Sequence, residues 1–282
     1  MKFRPSEDLI LLGDNLALLK RFEDGAFQLI YIDPPFNTGR VRRRQTLRTT
    51  ASKDGDRVGF GGRRYRSEQL GERSYPDEHA DYLAFLEPRL REAHRLLSEE
   101  GTLYVHLDYR EAHYVKVALD QIFGRDCFLN EIIWAYDFGG KPKRRWPAKH
   151  DTILVYVKDR RRYYFDSEAV EREPYMAPSL VGPAKATRGK LPTDVWWHTI
   201  VPTNSKEKTG YPTQKPEGVL RRIVQASSRP GDWCLDFFAG SGTLGAVAAK
   251  LGRHYVLIDS NPEAVAVMRR RLRPEPLRCR KA

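Results

Sequence analysis

Apolar runs that stop at a carboxylate or a tight turn recur along the chain: "LILLGD" at 9–14, "FQLIYIDPP" at 27–35, "GTLYVHLD" at 101–108, "WCLDFFAG" at 233–240 and "HYVLIDSN" at 254–261. Near-continuous apolar character is what a parallel strand covered on both faces requires. Between the runs lie helical patterns at 77–101, 110–124, 215–231 and 261–272. Strands alternating with helices predict a doubly wound α/β sheet. With further strands near 129 and in "DTILVYVKD" near 151, the sheet is expected to have seven strands. The 282 residues suffice for one such core with insertions. Asn261, Pro262 and Glu263 read as a helix start. Gly101 and Gly124 sit where left-handed C-terminal caps would fall, and Pro88 is expected to kink or divide the 77–101 helix.

The run at 27–35 ends in Asp33-Pro34-Pro35-Phe36. Proline has no N–H and restricts the residue before it, so this turn is stiff and its carbonyls stand outside any ladder. Its bland reading is a proline-rich turn held by an Asx-type bond from Asp33, which says nothing of Phe36.

Two stretches interrupt the α/β pattern. Residues 40–76 carry 11 basic and 4 acidic side chains, are Gly-rich and lack a period, which reads as a long mobile loop. Residues 136–212 are basic, Pro-rich and dotted with aromatics, including Trp146, Trp196 and Trp197. The expected organisation is therefore a first half at 1–135, an insertion at 136–212 holding one core strand at 151–158, and a second half at 213–282. The whole chain has 49 Lys and Arg against 37 acids, a net +12, and local basic fields of this kind attract polyanions. A solvated Arg-rich surface is the alternative on charge alone.

The cysteines Cys127, Cys234 and Cys279 lack CxxC spacing and the histidines lack HExxH spacing, so no metal site is expected. No apolar run spans a membrane and the first residues lack a signal-peptide pattern, so the expectation is a protein of the cytoplasm.

In "LDFFAGSGTLG" a strand ending at Asp236 meets a turn in which Gly240, Gly242 and Gly245 satisfy GxGxxG. Such a turn offers backbone N–H groups and close approach to a ligand, and Asp259, closing the next strand, can hold a ribose diol. No Gly-Lys-Ser/Thr follows, which excludes a Walker loop; a dinucleotide-binding protein stays open on this segment alone.

Four segments in order, "LLGDNLALLK" at 11–20, "IYIDPPFNTG" at 31–39, "GYPTQKPEGVLRRIV" at 210–224 and "LDFFAGSGTLG" with "LIDSNPEAV" at 235–265, resemble the S-adenosylmethionine-dependent DNA amino-methyltransferases of the permuted β group. The resemblance covers most of the chain outside the basic insertions. It implies a seven-stranded Rossmann-like methyltransferase sheet, S-adenosylmethionine as cofactor, double-stranded DNA as substrate, and methyl transfer to the exocyclic amine of a flipped base. Adenine N6 is favoured over cytosine N4 because Asp precedes Pro-Pro. RNA or a protein glutamine are the less favoured acceptors, and a non-catalytic nucleic-acid-binding or NAD-binding protein is the alternative of another class. A homodimer and a cognate restriction endonuclease are partners that such a family allows.

Carried over residue by residue, the resemblance implies a catalytic set of Asp33, Pro34, Pro35 and Phe36. Asp33 and the Pro34 carbonyl would each accept one amine hydrogen, and Phe36 would stack on the flipped base. The cofactor set is Asp14, Asn15, Thr213, Gln214, Lys215, Asp236, Phe238, Ala239, Gly240, Ser241, Gly242, Thr243 and Asp259; Asp14 reads equally as a helix N-cap. The basic insertions would hold DNA through Arg40, Arg42, Arg43, Arg44, Lys143, Arg144, Arg145 and Lys149. The tryptophans would either stack on bases or form the insertion's own core. None of the cysteines follows a proline, which argues against cytosine carbon-5 chemistry.

Overall fold

The computed structural model describes residues 2–35, 40–51, 54, 57–58, 64–77 and 81–272. Its elements in chain order are β1 (Leu9–Leu12), α1 (Asn15–Leu19), β2 (Phe27–Ile32), β3 (Arg40–Ala51), β4 (Arg57–Val58), β5 (Arg64–Asp77), α2 (Tyr82–Leu96), β6 (Leu97–Leu107), α3 (Ala112–Phe123), β7 (Phe128–Ala135), β8 (His150–Val157), α4 (Pro183–Arg188), β9 (Val195–Trp197), α5 (Glu217–Ser227), β10 (Trp233–Asp236), α6 (Thr243–Lys250), β11 (His254–Asp259) and α7 (Pro262–Arg271). None of the described helices is long and apolar enough to cross a membrane.

The main sheet runs β1-β11-β10-β2-β6-β8-β7-β9. All seven expected strands are present, and the short β9 adds an eighth beside β7, with Ile133 opposite Val195. In this order β1, β11, β10, β2 and β6 are mutually parallel, β8 runs antiparallel to β6, and β7, antiparallel to β8, points with the rest again, as does β9 beside it. Two adjacent strands matter most. β10 pairs with β2 in parallel, Cys234 opposite Leu29 and Leu235 opposite Ile30, although some 200 residues separate them. Their carboxyl ends therefore adjoin, and such a crevice is where open α/β sheets bind ligands.

The apolar runs are buried as expected, β2 at every position. One face of the sheet carries Leu29, Tyr31, Tyr104, Trp134, Ile153 and Val155 against Val219, Leu220, Leu244, Val247 and Met268 of α5, α6 and α7. Asn261 caps α7 by accepting from the Glu263 amide at 2.9 Å, with Pro262 in its first turn. Gly124 ends α3 at φ 87°.

Three expectations change. Gly101 is not a helix cap: α2 ends at Leu96 and Gly101 lies within β6, where a Cβ would meet the Ser98 carbonyl at 2.9 Å and the Gln28 carbonyl at 3.1 Å. Pro88 does not divide α2, which passes through it as one helix. The stretch 40–76 is not a structureless loop. β3 and β5 pair antiparallel from Arg40 opposite Asp77 to Ala51 opposite Tyr65, and β4 pairs with β5. Its β-branched "TLRTTA" segment favours strands, but a sequence polar at nearly every position leaves no alternation to detect.

By internal packing the chain separates into Met1–Pro34 with Leu83–Ala282, which holds the main sheet, and Pro35–Tyr82, which holds the three-stranded sheet.

Candidate active site

Asp33 follows β2 directly, with Pro34 buried behind it. One carboxylate oxygen, Oδ2, is ion-paired with Lys215 Nζ, and both side chains are mostly buried, 17% and 10% exposed. The other oxygen, Oδ1, is buried and has no hydrogen-bond partner among the described residues. An unpaired buried acceptor costs free energy on the order of 1–3 kcal/mol, so it marks a place where an external donor is wanted. Lys215 is one of the residues expected to hold a cofactor; here its ammonium pairs with the Asp33 carboxylate. Its backbone carbonyl accepts from Thr243 Oγ1 at 3.2 Å, which joins the Asp33 pair to the glycine turn.

That turn follows β10. Gly240 and Gly242 have φ of 51° and 72°, left-handed values that Cβ-bearing residues rarely adopt. The amides of the turn are largely engaged, within it or on the end of β11, contrary to the expectation of free N–H groups. Phe238 N–H donates to Asp236 Oδ1 at 3.0 Å and Ala239 N–H to the Ile258 carbonyl at 3.1 Å. Gly240 N–H donates to Asp259 Oδ2 at 2.8 Å and Gly242 N–H to the Ala239 carbonyl at 2.7 Å. The turn thus offers glycine backbone beside the carboxylates of Asp236 and Asp259, and not the nest of free donors that a pyrophosphate needs.

Asp259 stands at the end of β11 with Oδ2 on Gly240 and Oδ1 accepting from Asn261 N–H at 2.8 Å. Burial raises its pKa against these bonds. Asp236 is held well above the ordinary carboxylate range by burial first, with the charges of Asp33 and Asp259 adding to it. Between the unfolded and folded pKa values the native state keeps a proton that the unfolded chain has released, so stability falls as pH rises through that window. Asp236→Asn keeps the acceptor for Phe238 and removes the buried charge. It should raise the thermal midpoint at pH 8 by several degrees and flatten its decline from pH 5 to pH 8, as read by thermal unfolding across pH.

Asp14 caps α1 by accepting from Ala17 N–H at 2.9 Å and keeps a largely exposed carboxylate near Arg89. Asn15 is used at both ends: its Nδ2 donates to the Phe237 carbonyl at 2.8 Å and its Oδ1 accepts from Arg89 Nε at 2.6 Å. Arg89 escaped the sequence reading because one arginine in a charged amphipathic helix looks like surface; it braces the α1 start against the glycine turn. Gln214 is also a brace, accepting from Thr209 N–H and Oγ1 at 2.8 Å each and donating to the Glu207 carbonyl at 2.7 Å. Thr213 beside it has φ 63°, a strained value for a β-branched residue. Ser241 and Thr243 are buried and joined at 3.2 Å, with Arg271 reaching both.

Of the expected DNA contacts, Lys143, Arg144 and Arg145 are exposed. Arg145 donates to Tyr109 Oη at 3.1 Å, and Lys149 donates to the Gly139 carbonyl at 2.9 Å. Arg40, Arg42, Arg43 and Arg44 lie along β3. Phe36 and Cys279 lie outside the described residues. The tryptophans divide: Trp196 is core, with its indole N–H on the Thr193 carbonyl at 2.7 Å, while Trp146 and Trp197 are 94% and 76% exposed. Among the described residues no His, Cys, Asp and Glu group could hold a metal ion.

A family model described as DNA methylase matches residues 27–270. DNA adenine methyltransferase YhdJ of Escherichia coli K12 is 31% identical over 96% of this chain and 84% of its own length. Type II methyltransferase M.HpaI of Haemophilus parainfluenzae is 30% identical over 94% of this chain and 74% of its own. Among solved structures, the PvuII DNA methyltransferase described as cytosine-N4-specific superposes with a TM-score of 0.66 at 17% identity, over 97% of this chain and 89% of its own. The M1.HpyAVI–SAM complex superposes with a TM-score of 0.61 at 20% identity, over 94% and 99%. Both structures share the fold.

Proposed function

This chain belongs to the DNA methylase family, and from that membership we propose that it transfers a methyl group from S-adenosylmethionine to N6 of an adenine flipped out of duplex DNA. The observation that carries the reading is Asp33: one oxygen fixed on Lys215, the other buried and unpartnered, at a strand end adjoining the glycine turn. Relatives include an enzyme named for adenine. N4 of cytosine is the second reading, since its amine poses the same electronic problem.

The residues at the turn suit this cofactor. Asp14, Asp236 and Asp259 offer acceptors for amine and hydroxyl hydrogens, and the engaged amides of Phe238, Ala239, Gly240 and Gly242 suit a ligand without phosphates. Ser241, Thr243, Asn15, Thr213 and Gln214 keep the turn and its neighbours in shape. When bound, S-adenosylmethionine supplies an activated methyl group.

An exocyclic base amine is a weak nucleophile because its lone pair is delocalised into the ring. Asp33 Oδ1 accepts one of its hydrogens and the Pro34 carbonyl the other, which pulls the nitrogen toward tetrahedral geometry and localises the lone pair. Lys215 prevents the carboxylate from turning away. Asp33 Oδ1 or water then takes the surplus proton. Phe36 is the stacking surface for the base. Arg40, Arg42, Arg43, Arg44, Lys143, Arg144, Arg145 and Lys149 supply phosphate contacts, and exposed Trp146 offers a ring to the distorted duplex.

The test is methylation of plasmid DNA by the pure protein with labelled cofactor, followed by nucleoside mass spectrometry and modification-sensitive sequencing. N6-methyladenine at a defined site is expected. N4-methylcytosine would transfer the reading to its alternative, and no methylated nucleoside across varied DNA would overturn it. A homodimer and a cognate endonuclease accompany this proposal; light scattering of the pure protein checks the first.

A further inference from the structure

Behind Asp33, on the sheet face that carries α5, lies a chain of polar side chains that the mechanism above does not use. Tyr31 Oη meets His106 Nδ1 at 2.8 Å, His106 Nε2 meets Asp151 Oδ2 at 3.1 Å, and Tyr136 Oη donates to Asp151 Oδ1 at 2.9 Å. Tyr31, His106 and Asp151 are 2%, 0% and 7% exposed. They come from β2, β6 and β8, three neighbouring strands. The Trp134 ring packs edge-on against His106 at 5.4 Å between centroids. Burying so many polar groups is unfavourable unless each is satisfied, and one arrangement of hydrogens satisfies them all. Tyr31 donates to Nδ1, Nε2–H donates to Asp151, and Tyr136 donates to the other Asp151 oxygen.

The surroundings agree with that arrangement. Burial, then the charges of Asp33, Asp236 and Asp151, raise the Tyr31 pKa well above its usual value, so it stays a phenol and a donor. Burial pushes the Asp151 carboxyl up, but the hydrogen bond from His106, the Lys215 cation and the Tyr136 bond outweigh it and the net shift is downward, so it stays an acceptor. Tyr31 precedes Asp33 by two residues and senses its charge, and Lys215 acts on both Asp33 and Asp151.

We propose that Asp151, His106 and Tyr31 form a buried positioning relay for Asp33. Asp151 fixes the His106 tautomer whose Nδ1 accepts from Tyr31, and the phenol so held sets the end of β2 from which Asp33 meets the base amine. The proposal rests on the methyltransferase reading for its kinetic consequence, while the tautomer stands on the fold alone. Asparagine at 151 preserves size but can donate to Nε2, which favours the other tautomer and reverses the Tyr31 bond.

Single-turnover methyl transfer, S-adenosylmethionine affinity by calorimetry and thermal midpoint are to be measured for Tyr31→Phe and Asp151→Asn. The control is Tyr104→Phe, which removes another buried phenol on the same face, bonded to Ser227 Oγ at 2.7 Å. The expected result is a fall in transfer rate of roughly 10–100-fold for the two relay variants, with cofactor affinity within about threefold of wild type and the control near wild-type rate. Relay variants with wild-type rates, or with rate and cofactor affinity falling together, would overturn the proposal. Nitrogen-15 histidine spectra, with His106 assigned through a His106→Gln variant, should show the Nε2–H tautomer, moving to Nδ1–H in Asp151→Asn. A wild-type Nδ1–H tautomer refutes the relay whatever the activity, whereas the expected tautomer in a protein that methylates no DNA refutes the functional reading and leaves the relay standing.

Discussion

Asp33→Asn is expected to lower single-turnover methyl transfer by roughly 10³-fold while leaving cofactor affinity and folding close to wild type. The direction follows from which atom each partner demands. Lys215 Nζ is a donor and sits against Oδ2. An asparagine must therefore turn its carbonyl toward the lysine, which places its NH₂ group where the unpartnered Oδ1 now stands. A base amine arriving there meets a donor where it needs an acceptor. Asp33→Ala should lose transfer as completely but also breaks the ion pair of a mostly buried lysine, so a fall in its thermal midpoint is expected as well. Lys215→Met should reduce transfer about 10²-fold, because the unpaired carboxylate is freed to rotate near Asp236. The double variant Asp33→Asn/Lys215→Met separates the lysine's two roles. If the pair acts as one unit, its rate matches Asp33→Asn alone. Multiplying losses, with weakened cofactor affinity in Lys215→Met, would instead return Lys215 to the cofactor.

The parts of this molecule that could be read from its sequence are those whose physics is local. β2, β10 and β11 announce themselves because strands buried on both faces must be apolar almost throughout, and the caps at Asp14 and Asn261 need only their own helices. The adjacency of Asp33 and the glycine turn was legible only through the resemblance, since β2 and β10 are remote in the chain. What escaped depends on a distant partner. Lys215 finds Asp33 across 182 residues, Arg89 finds Asn15 across 74, and Asp151 finds His106 across 45. A lysine in a loop, an arginine on a charged helix and a histidine in an apolar strand carry no local sign of those roles. β3 and β5 escaped for another reason: without one apolar face, a strand has no period of two to betray it.

Gly242→Val carries the largest expected cost in stability, and it tests whether the glycine turn serves the cofactor. Gly242 sits at φ 72°, a left-handed backbone that costs a Cβ-bearing residue about 1–2 kcal/mol. A Cβ there would also stand 2.8 Å from Met268 Cγ and 3.3 Å from Leu257 Cδ1, both in the core, and overpacking of that kind costs about 1–3 kcal/mol. The turn cannot relax by opening, because the Gly242 amide closes on Ala239 and its carbonyl accepts a hydrogen bond from the Ala246 amide of α6 at 3.0 Å. Together these predict destabilisation of about 2–5 kcal/mol, which at this size lowers the thermal midpoint by roughly 4–20 °C. Gly245→Ala would also overpack, its Cβ 2.6 Å from Leu257 Cδ1, but it adds one methyl at an ordinary helical backbone with no left-handed cost, so its loss should be smaller. Measured below the transition, S-adenosylmethionine should raise the midpoint of wild type and Gly245→Ala but not of Gly242→Val. A cofactor-dependent shift that survives in Gly242→Val would mean that the turn at this glycine is not where the cofactor lies, and the assignment of Asp236, Phe238, Ala239 and Gly240 to it would fall with it.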